Sequence, residues 1–200
     1  MNFQLLFPVT LTGIWRDTKD LHVNDDLQSW LLDPSSLTTR LKSHCKNFRV
    51  ELLGQHITNC DENEAVALIP AGEKVLIREV ILFCDDTPQV FARSLLPLSS
   101  LTGEEQALAS LGTQSLGQVL FNNPSLKRNK IEVAQFDQNS SIAILIKNLP
   151  KSLMPNLLPE NLWGRRSIFL LENKPLMVAE VFLPGSYAYQ KHIHTGKIDA

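Results

Sequence analysis

The feature that most constrains the fold is the apolar segment at residues 162–184, which reads LWGRRSIFLLENKPLMVAEVFLP. It predicts two strands joined by a turn at Glu172, Asn173 and Lys174. Alternation in the second strand gives one face with Leu176, Val178, Glu180 and Phe182, and another with Met177, Ala179, Val181 and Leu183. Both faces are apolar, so Glu180 is the one ionisable group in a run that we expect to be buried.

A carboxylate at position 180 requires an explanation. Burying an unpaired carboxylate costs several kcal/mol, so Glu180 either stays protonated or has a cationic or polar partner. One interpretation is a functional group in a binding site, and the other is a structural ion pair inside the sheet. Residues 162–184 alone are compatible with both.

Composition limits the classes of protein to which the chain can belong. It has 200 residues, of which 44% are hydrophobic and 20% charged, as expected for one domain with a substantial core. A formal net charge of −2 gives no reason to expect nucleic acid or an anionic membrane as partner. The dinucleotide-binding, P-loop, HExxH and GxSxG motifs do not occur.

Localisation can be predicted from the apolar runs and the cysteines. No apolar run reaches the ~18–20 residues of a transmembrane helix, and the N-terminal residues lack the basic region of a signal peptide. Cys45, Cys60 and Cys84 form no CxxC motif, which is typical of a reducing compartment. We therefore expect a cytoplasmic protein with no stable membrane insertion. We also expect a monomer, although these features do not bear on the oligomeric state.

Two helix starts are candidate anion sites. Ser35 and Ser36 can cap a helix at residues 37–44, and Ser115 can cap another at residues 116–121. The first backbone amides of each helix, near Leu37 and Leu116, lack partners inside the helix and can bind an anion. An ordinary cap with water on those amides is the usual outcome for a single helix start.

A second hairpin is predicted from residues 74–83 and 89–96, with turn residues between them. Arg78 stands on an otherwise apolar face of the first strand. If Val80 lies opposite Arg93, then Arg93 is diagonal to Arg78 on that same face. A register change of one residue would send Arg93 to the opposite face.

The arginines allow two interpretations. Arg78 and Arg93 together near Glu180 would exceed the charge that a structural pair needs, and the surplus would suit a carboxylate ligand. Alternatively, Arg78 pairs with Glu79 or Glu180, and Arg93 points to solvent. The residues alone do not decide between these interpretations.

The last third of the chain contains two segments of different texture. Residues 137–160 combine a polar loop, a short apolar stretch and three prolines, and we expect an extra hairpin or helix over the domain. Residues 185–200 are predicted to be a loosely held tail. His192 and His194 resemble half of a metal site, but no third ligand is near them, so we expect no metal there.

Four segments carry a resemblance to a known family: residues 76–97 (LIREVILFCDDTPQVFARSLLP), 111–121 (LGTQSLGQVLF), 162–167 (LWGRRS) and 174–184 (KPLMVAEVFLP). Their order and spacing resemble those of chorismate pyruvate-lyases, over about residues 25–189. The resemblance implies an α+β fold, with a single antiparallel sheet and helical flaps that enclose an internal ligand cavity. It also implies one domain over residues 1–200.

The function that this resemblance implies is conversion of chorismate to 4-hydroxybenzoate and pyruvate, the first step of ubiquinone synthesis. Aromatisation of the ring supplies the driving force, so no cofactor or metal is expected. A general-acid elimination and a concerted shift both fit the residues. The alternative is a non-catalytic binding module, because the same fold serves as the sensing half of some transcription regulators. We expect the enzyme, because little chain precedes the matched region and basic charge is lacking.

The implied site residues follow from matched positions. Arg78 matches the arginine of the family's L-R-E strand and would bind the ligand carboxylate, while Glu180 matches the glutamate of its E-x-F-L-P strand and would contact the other end. These two are the implied catalytic residues. Leu37 and Leu116 match flap positions whose amides help to hold the carboxylate, and Arg93 is also implied among the substrate-binding residues.

This sequence departs from the family pattern in three places. Residues 113–115 replace a segment that usually contains proline, and Leu37 stands where some relatives have methionine. We expect neither change to affect the chemistry, because both concern backbone contacts or flap stiffness. Residues 137–160 are longer than in compact members, so flap behaviour and product release are the properties in which we expect a difference.

Overall fold

The structure is a computed structural model that describes residues 3–153 and 159–190. Within these residues seven strands form one antiparallel sheet, in the order β1-β5-β6-β7-β4-β3-β2. The strands are β1 (Arg16–Asp17), β2 (Phe48–Asn59), β3 (Lys74–Cys84), β4 (Thr87–Pro97), β5 (Lys127–Phe136), β6 (Leu162–Leu171) and β7 (Lys174–Phe182). The α-helices are α1 (Asp25–Leu31), α2 (Leu37–Lys42), α3 (Leu116–Phe121) and α4 (Ser141–Asn148). The predicted α+β class with a single antiparallel sheet is confirmed.

Short 3-10 helices complete the described elements, at Phe3–Leu6, Thr18–Asp20, Gly103–Ser110, Lys151–Leu153 and Tyr187–Tyr189.

Both predicted hairpins are present, and each closes with a two-residue turn. Glu172 and Asn173 have φ values of 49° and 60°, and Asp85 and Asp86 have 46° and 65°. Positive φ at both turn residues is the geometry that matches the right-handed twist of paired strands. In the β6–β7 hairpin the turn sets a regular register, in which Arg165 lies opposite Glu180.

The register of the β3–β4 hairpin decides between the two positions that the sequence left open for Arg93. A bulge at Gln89 shifts the pairing, so that Val80 lies opposite Ala92 and Glu79 opposite Arg93. The condition that Val80 lies opposite Arg93 is therefore not met, and the observed register is the alternative that differs from it by one residue. Because alternate residues of a strand point to opposite faces, this shift places Arg93 on the face opposite to Arg78.

The two faces of the sheet are covered by different parts of the chain. One face packs against α1, α2, α3 and the 3-10 helix Gly103–Ser110, through residues such as Trp30, Leu41, Leu108 and Leu120. The other face is covered by the N-terminal segment and α4. Buried apolar area on both faces supplies most of the stabilisation of such a sheet.

The segment at residues 137–160 contributes α4, so the helix is the observed form of its described part. Ile142, Leu145 and Ile146 of α4 are buried against the sheet face. This spacing gives the helix one apolar side, which is the pattern of a helix packed on a core. Residues 154–158 lie outside the described part of the chain.

The beginning of the C-terminal tail is held against the domain. The hydroxyl of Tyr189 accepts a hydrogen bond from Trp163 N at 2.8 Å and donates one to Phe182 O at 3.1 Å. The prediction of a loose tail is therefore wrong for residues 185–190. Residues 191–200, with His192 and His194, lie outside the described residues.

Candidate active site

A small enclosed cavity lies between the sheet and the starts of α2 and α3. Its volume is about 40 Å³, and by the same measure one water needs roughly 10–15 Å³. Leu37, Arg78, Leu116 and Glu180 all line it, so four of the five predicted site residues share one chamber. The predicted internal cavity is therefore present.

The strand register explains why Arg78 and Glu180 converge. In one row across the sheet, Arg78 lies opposite Ser94; in the next row of the same face, Ala92 pairs with Glu180. Two strand spacings and one step of two residues separate the Cα atoms of Arg78 and Glu180 by about 12 Å. Side chains at that separation can face a ring-sized ligand from opposite ends.

Arg78 is a buried cation with an unused donor. Its side chain is 1% exposed, and its Nη2 donates to Gly112 O at 2.9 Å and Gln114 O at 3.0 Å. Its Nε has no partner among the described residues, and no carboxylate there forms an ion pair with it. Burial lowers the pKa of Arg78 to about 10, so the guanidinium is still charged at neutral pH. An unused N–H on a buried cation favours an anionic ligand.

Glu180 is paired with Arg165. Arg165 Nε donates to Glu180 Oε2 at 2.7 Å, and Arg165 Nη1 donates to Trp30 O at 3.1 Å and Asp33 O at 2.9 Å. The structural ion pair that the sequence left open does exist, and it lies in the wall of the cavity. Sequence reasoning missed Arg165, although the two-residue turn of the β6–β7 hairpin places it directly opposite Glu180.

Arg93 lies outside the cavity, on the opposite face of the sheet. Its Nε and Nη2 bind the two carboxylate oxygens of Glu64 at 2.5 Å and 2.7 Å, and its Nη1 binds Glu79. Glu79 also accepts a hydrogen bond from Val9 N. The expectation that Arg93 joins Arg78 beside the ligand is wrong, and so is the alternative that it points to solvent. Its place in the structure is a buried charge cluster that anchors the N-terminal segment.

The cavity is roofed by two capped helix starts. The side chains of Ser36 and Ser115 accept hydrogen bonds from the third residues of α2 and α3. Thr38 Oγ1 and Ser115 Oγ are 2.6 Å apart, which links the two helices directly. The amides of Leu37 and Leu116 occupy the first helical positions, where no intrahelical acceptor exists.

Arg128 and Arg165 are two further arginines in the cavity wall that the sequence did not single out. Arg128 Nη1 donates to Asp33 O at 2.8 Å, and its Nε has no partner among residues 3–153 and 159–190. Burial and the nearby charge of Arg165 lower the pKa of Arg128. Three arginines and one glutamate therefore give the cavity a surplus of positive charge.

Three larger depressions on the surface do not share these properties. They measure about 590, 540 and 460 Å³ and are open to solvent. The first and third are lined by exposed charged residues, including Arg16, Asp17 and Asp25, and the lining of the second has no charged residue. Exposed charges are well hydrated and bind anions weakly. The enclosed cavity is therefore the candidate active site.

Comparison with known proteins places the chain in a family. A family profile described as Chorismate lyase matches residues 10–193. The chain belongs to the chorismate lyase family. A relative from Psychromonas ingrahamii, named Probable chorismate pyruvate-lyase, is 40% identical over 184 residues, which cover 91% of this chain and 96% of the relative. A second with the same name, from Pseudoalteromonas translucida, is 36% identical over 188 residues, covering 92% and 99%.

Solved structures show the same fold in other proteins. PhnF from Mycobacterium smegmatis matches with a TM-score of 0.53 and 16% identity, over 76% of this chain and 65% of PhnF. The ligand-binding domain of a putative GntR-family transcriptional regulator from Bordetella bronchiseptica matches with a TM-score of 0.51 and 19% identity, over 74% and 91%. At these identities the likeness concerns the fold alone.

The described residues of this chorismate lyase family member contain no group of three His, Cys, Asp or Glu residues that could hold a metal ion. Across residues 3–153 and 159–190, every helix is too short or too polar to cross a membrane.

Proposed function

We propose that this protein is a chorismate pyruvate-lyase, which converts chorismate to 4-hydroxybenzoate and pyruvate. The observation that carries the proposal is the shared cavity, which is lined by both Arg78 and Glu180. Membership of the chorismate lyase family and the names of the relatives support it. The first step of ubiquinone synthesis is the pathway role that we propose for this activity.

Arg78 is the proposed anchor of the ring carboxylate. Its Nη2 is held by two carbonyls of the loop before α3, which leaves Nε to donate to the ligand. The amides of Leu37 and Leu116 would add two further donors from the roof. Donors on both sides of a carboxylate fix the orientation of the ring as well as its position.

Glu180 is the proposed partner of the ring C4 hydroxyl. Its Oε2 is occupied by Arg165, and its Oε1 has no hydrogen-bond partner among the described residues. A carboxylate held in an ion pair acts as an acceptor, so it would receive the hydrogen bond of the hydroxyl. Arg165 would then act by positioning Glu180.

The reaction needs these groups because of how its bonds change. The bond between ring C3 and the ether oxygen breaks, and C4 loses its hydrogen as a proton. The ring becomes aromatic, and the released enolpyruvate gains a proton at its methylene carbon to become pyruvate. Fixing the flexible substrate and stabilising charge on the departing ether are the contributions required of the protein. Glu180 is the proposed group to relay the proton.

The test is to incubate the purified protein, treated with a chelator, with chorismate. We expect the chorismate absorbance to fall, with 4-hydroxybenzoate and pyruvate formed in equal amounts at a rate well above the spontaneous one. Formation of neither product by the folded protein would contradict the proposal. Tight binding of 4-hydroxybenzoate without turnover would instead indicate the non-catalytic binding module of the same fold.

The proposed setting is the cytoplasm, with the protein as a monomer. Cys45, Cys60 and Cys84 are all free thiols in the structure, which is typical of a reducing compartment. Light scattering coupled to size-exclusion chromatography would test the monomer, with one chain of 22.5 kDa as the expected mass.

A further inference from the structure

Unpaired buried donors point to a second anion site in the same cavity. Among the described residues, five buried side-chain nitrogen or oxygen atoms lack a hydrogen-bond partner: Trp30 Nε1, Arg78 Nε, Arg128 Nε, Arg166 Nη1 and Ser167 Oγ. Only two of the five belong to residues that line the cavity, and both are Nε atoms of arginines. A buried donor without a partner is costly, so two such donors in one chamber call for ligand atoms. The proposed role of Arg78 accounts for one of them.

A bulge in β5 turns Arg128 into the cavity. Arg128 pairs with Phe169 and Ile131 with Ser167, while Asn129 is an extra residue between them. In a regular strand, residues 128 and 131 would lie on opposite faces. The extra residue brings them to the same face, which is the cavity side of the sheet. Bulges of this kind commonly re-aim a side chain beside a functional site.

Arg128 is held in place without being neutralised. Its Nη1 donates to Asp33 O at 2.8 Å, and its guanidinium lies 5.0 Å from the ring centroid of Phe169 and 5.6 Å from that of Phe121. Within the described residues no carboxylate forms an ion pair with it. Contacts with a carbonyl and two aromatic faces orient a guanidinium while leaving its charge available.

The charges of the cavity match a ligand with two carboxylates. The wall holds Arg78, Arg128, Arg165 and Glu180, which leaves a formal surplus of two positive charges. Arg165 is paired with Glu180, so the surplus belongs to Arg78 and Arg128. Chorismate carries two carboxylates, one on the ring and one on the enolpyruvyl ether at ring C3.

We propose that Arg128 binds the enolpyruvyl carboxylate of the substrate, the group that leaves as pyruvate; this inference rests on the proposed function. Arg128 and Arg165 both donate to the carbonyl of Asp33, so Arg128 lies at the same end of the cavity as Glu180. Ring C3 is adjacent to C4, so a ring held by Arg78 and Glu180 extends its C3 substituent from that same end. The site therefore selects an aromatic-sized acid with a second, ether-linked carboxylate.

The proposed role of Arg128 predicts that substrate and product are bound by different sets of residues. Both 4-hydroxybenzoate and chorismate have the ring carboxylate that Arg78 would hold, but only chorismate has the second carboxylate. Once pyruvate has left, Arg128 makes no contact with the remaining product. Arg128 therefore contributes to substrate binding and to the orientation of the leaving group, without adding to product retention.

The experiment compares Arg128→Met with wild type. Four quantities are measured: kcat/KM for chorismate, and the Kd values of 4-hydroxybenzoate, of the stable dicarboxylate 3-[(1-carboxyvinyl)oxy]benzoate and of its monocarboxylate counterpart 3-ethoxybenzoate. We expect kcat/KM for chorismate and the affinity for the dicarboxylate to fall about ten- to a hundredfold, as for a lost hydrogen bond between charged groups. The two monocarboxylates should keep their affinities within about threefold, because their only anionic group binds at Arg78.

Two controls make the comparison specific. Arg49→Met removes another guanidinium that lies over a ring, 3.7 Å from the centroid of Phe83, but Arg49 is exposed and outside the cavity; it should change none of the affinities. Arg128→Lys keeps the charge and loses the forked donor, so it should give a smaller loss of the dicarboxylate preference. It also supplies the comparison if Arg128→Met does not fold.

The outcomes separate the two proposals. If Arg128→Met loses affinity equally for the dicarboxylate and the monocarboxylates, or for neither, the proposed role of Arg128 is overturned. Turnover of chorismate by the wild type would not be affected by that result. The opposite outcome is also possible: the wild type prefers the dicarboxylate, Arg128→Met loses this preference, and the wild type does not convert chorismate. That outcome would support the second anion site and overturn the proposed lyase activity.

Discussion

Arg165 and Glu180 form an ion pair directly across the β6–β7 hairpin, with 2.7 Å between Nε and Oε2. The same guanidinium binds the carbonyls of Trp30 and Asp33, so the pair is also tied to the end of α1. The orientation of Glu180 is thus fixed by Arg165 on the neighbouring strand, and through Arg165 by the end of α1. Such fixed orientation of a carboxylate is what a positioned acceptor for the substrate hydroxyl requires.

Replacement of the carboxylate tests its chemical role. Glu180→Gln keeps the size of the side chain and removes its charge, so we expect kcat to fall about 10²- to 10⁴-fold, the usual range for a lost proton-transfer group. The affinity for 4-hydroxybenzoate should change much less, because the ring carboxylate is bound at Arg78. Steady-state kinetics and equilibrium binding measure the two quantities.

The matched control is Glu132→Gln. Glu132 forms a similar buried pair with Arg166, at 2.6 Å, on neighbouring strands but outside the cavity. It should lower stability and leave kcat close to that of the wild type. An equal loss of kcat in both variants would show that breaking any Arg–Glu pair of the sheet disturbs turnover, against a specific role of Glu180.

The two arginines of the β3–β4 hairpin should have different phenotypes. Arg78→Met removes the proposed carboxylate anchor, so we expect the Kd of 4-hydroxybenzoate to rise about ten- to a hundredfold with a moderate change in stability. Arg93→Met leaves Glu64 and Glu79 buried without their cation. It should lower the free energy of unfolding by about 3–5 kcal/mol.

Urea unfolding and calorimetric titration of the two variants provide the measurements. For the fraction that is folded, Arg93→Met should bind 4-hydroxybenzoate nearly as tightly as the wild type. A folded Arg93→Met protein that binds the ligand as poorly as Arg78→Met would contradict the placement of Arg93 behind the sheet.

The hydrogen bond between the two roof helices predicts a change in product release. Thr38→Val removes the hydroxyl that lies 2.6 Å from Ser115 Oγ and keeps the shape of the side chain. We expect α2 and α3 to separate more readily, so that 4-hydroxybenzoate leaves several-fold faster. Stopped-flow displacement of the bound product measures this rate.

Thr39→Val is the control for that measurement, because it is the same change one residue along α2 at an exposed position. Its release rate should equal that of the wild type. An unchanged rate in Thr38→Val would mean that the contact between the helices does not control exit from the cavity.

Glu79 predicts a pH dependence of stability. Burial raises its pKa from 4.5 to about 7, although Arg93 and the amide of Val9 oppose the shift. Because the folded-state pKa lies above the unfolded one, the stabilisation from this group is complete below about pH 4.5 and is lost as pH rises through about 7. The difference in unfolding free energy between wild type and Glu79→Gln should therefore fall over that range, by on the order of 1–3 kcal/mol.

The stabilisation from Glu132 should depend on pH in the opposite direction to that from Glu79, and the variant Glu132→Gln tests this. Burial raises the pKa of Glu132, but hydrogen bonds from Lys130 and Arg166 outweigh burial, and the pKa is lowered. The stabilisation from Glu132 is then present above its ordinary pKa and lost as pH falls. Urea unfolding between about pH 3 and 8 measures both differences. Parallel stability curves for wild type and Glu79→Gln would contradict the assignment of the pH dependence to Glu79.

Much of the fold followed from local patterns. Alternation and turn residues located the strands of both hairpins, and Ser115 correctly marked the start of α3. These signals are local, since caps and turns depend on neighbouring residues. The meeting of Arg78 and Glu180 in one cavity was implied by the family resemblance instead, because alternation places each side chain only on a face of its own strand and the β4–β7 register decides whether those faces coincide.

The sequence predictions failed where one extra residue in a strand, a bulge, moves a side chain to the other face of the sheet. The bulge at Gln89 sends Arg93 away from the cavity, and the bulge at Asn129 brings Arg128 into it. A bulge depends on how two strands fit together over many residues, and no local sequence pattern announces these two. Arg165 was different, since the short turn at Glu172 and Asn173 already determines that it pairs with Glu180.

A crystal structure with bound 4-hydroxybenzoate would test the central claim most directly. We predict the ligand inside the enclosed cavity, with its carboxylate within hydrogen-bond distance of Arg78 Nε and of the Leu37 and Leu116 amides, and its hydroxyl at Glu180. A ligand that occupied only an open surface depression, or lay in the cavity without contacting Arg78 or Glu180, would contradict the account.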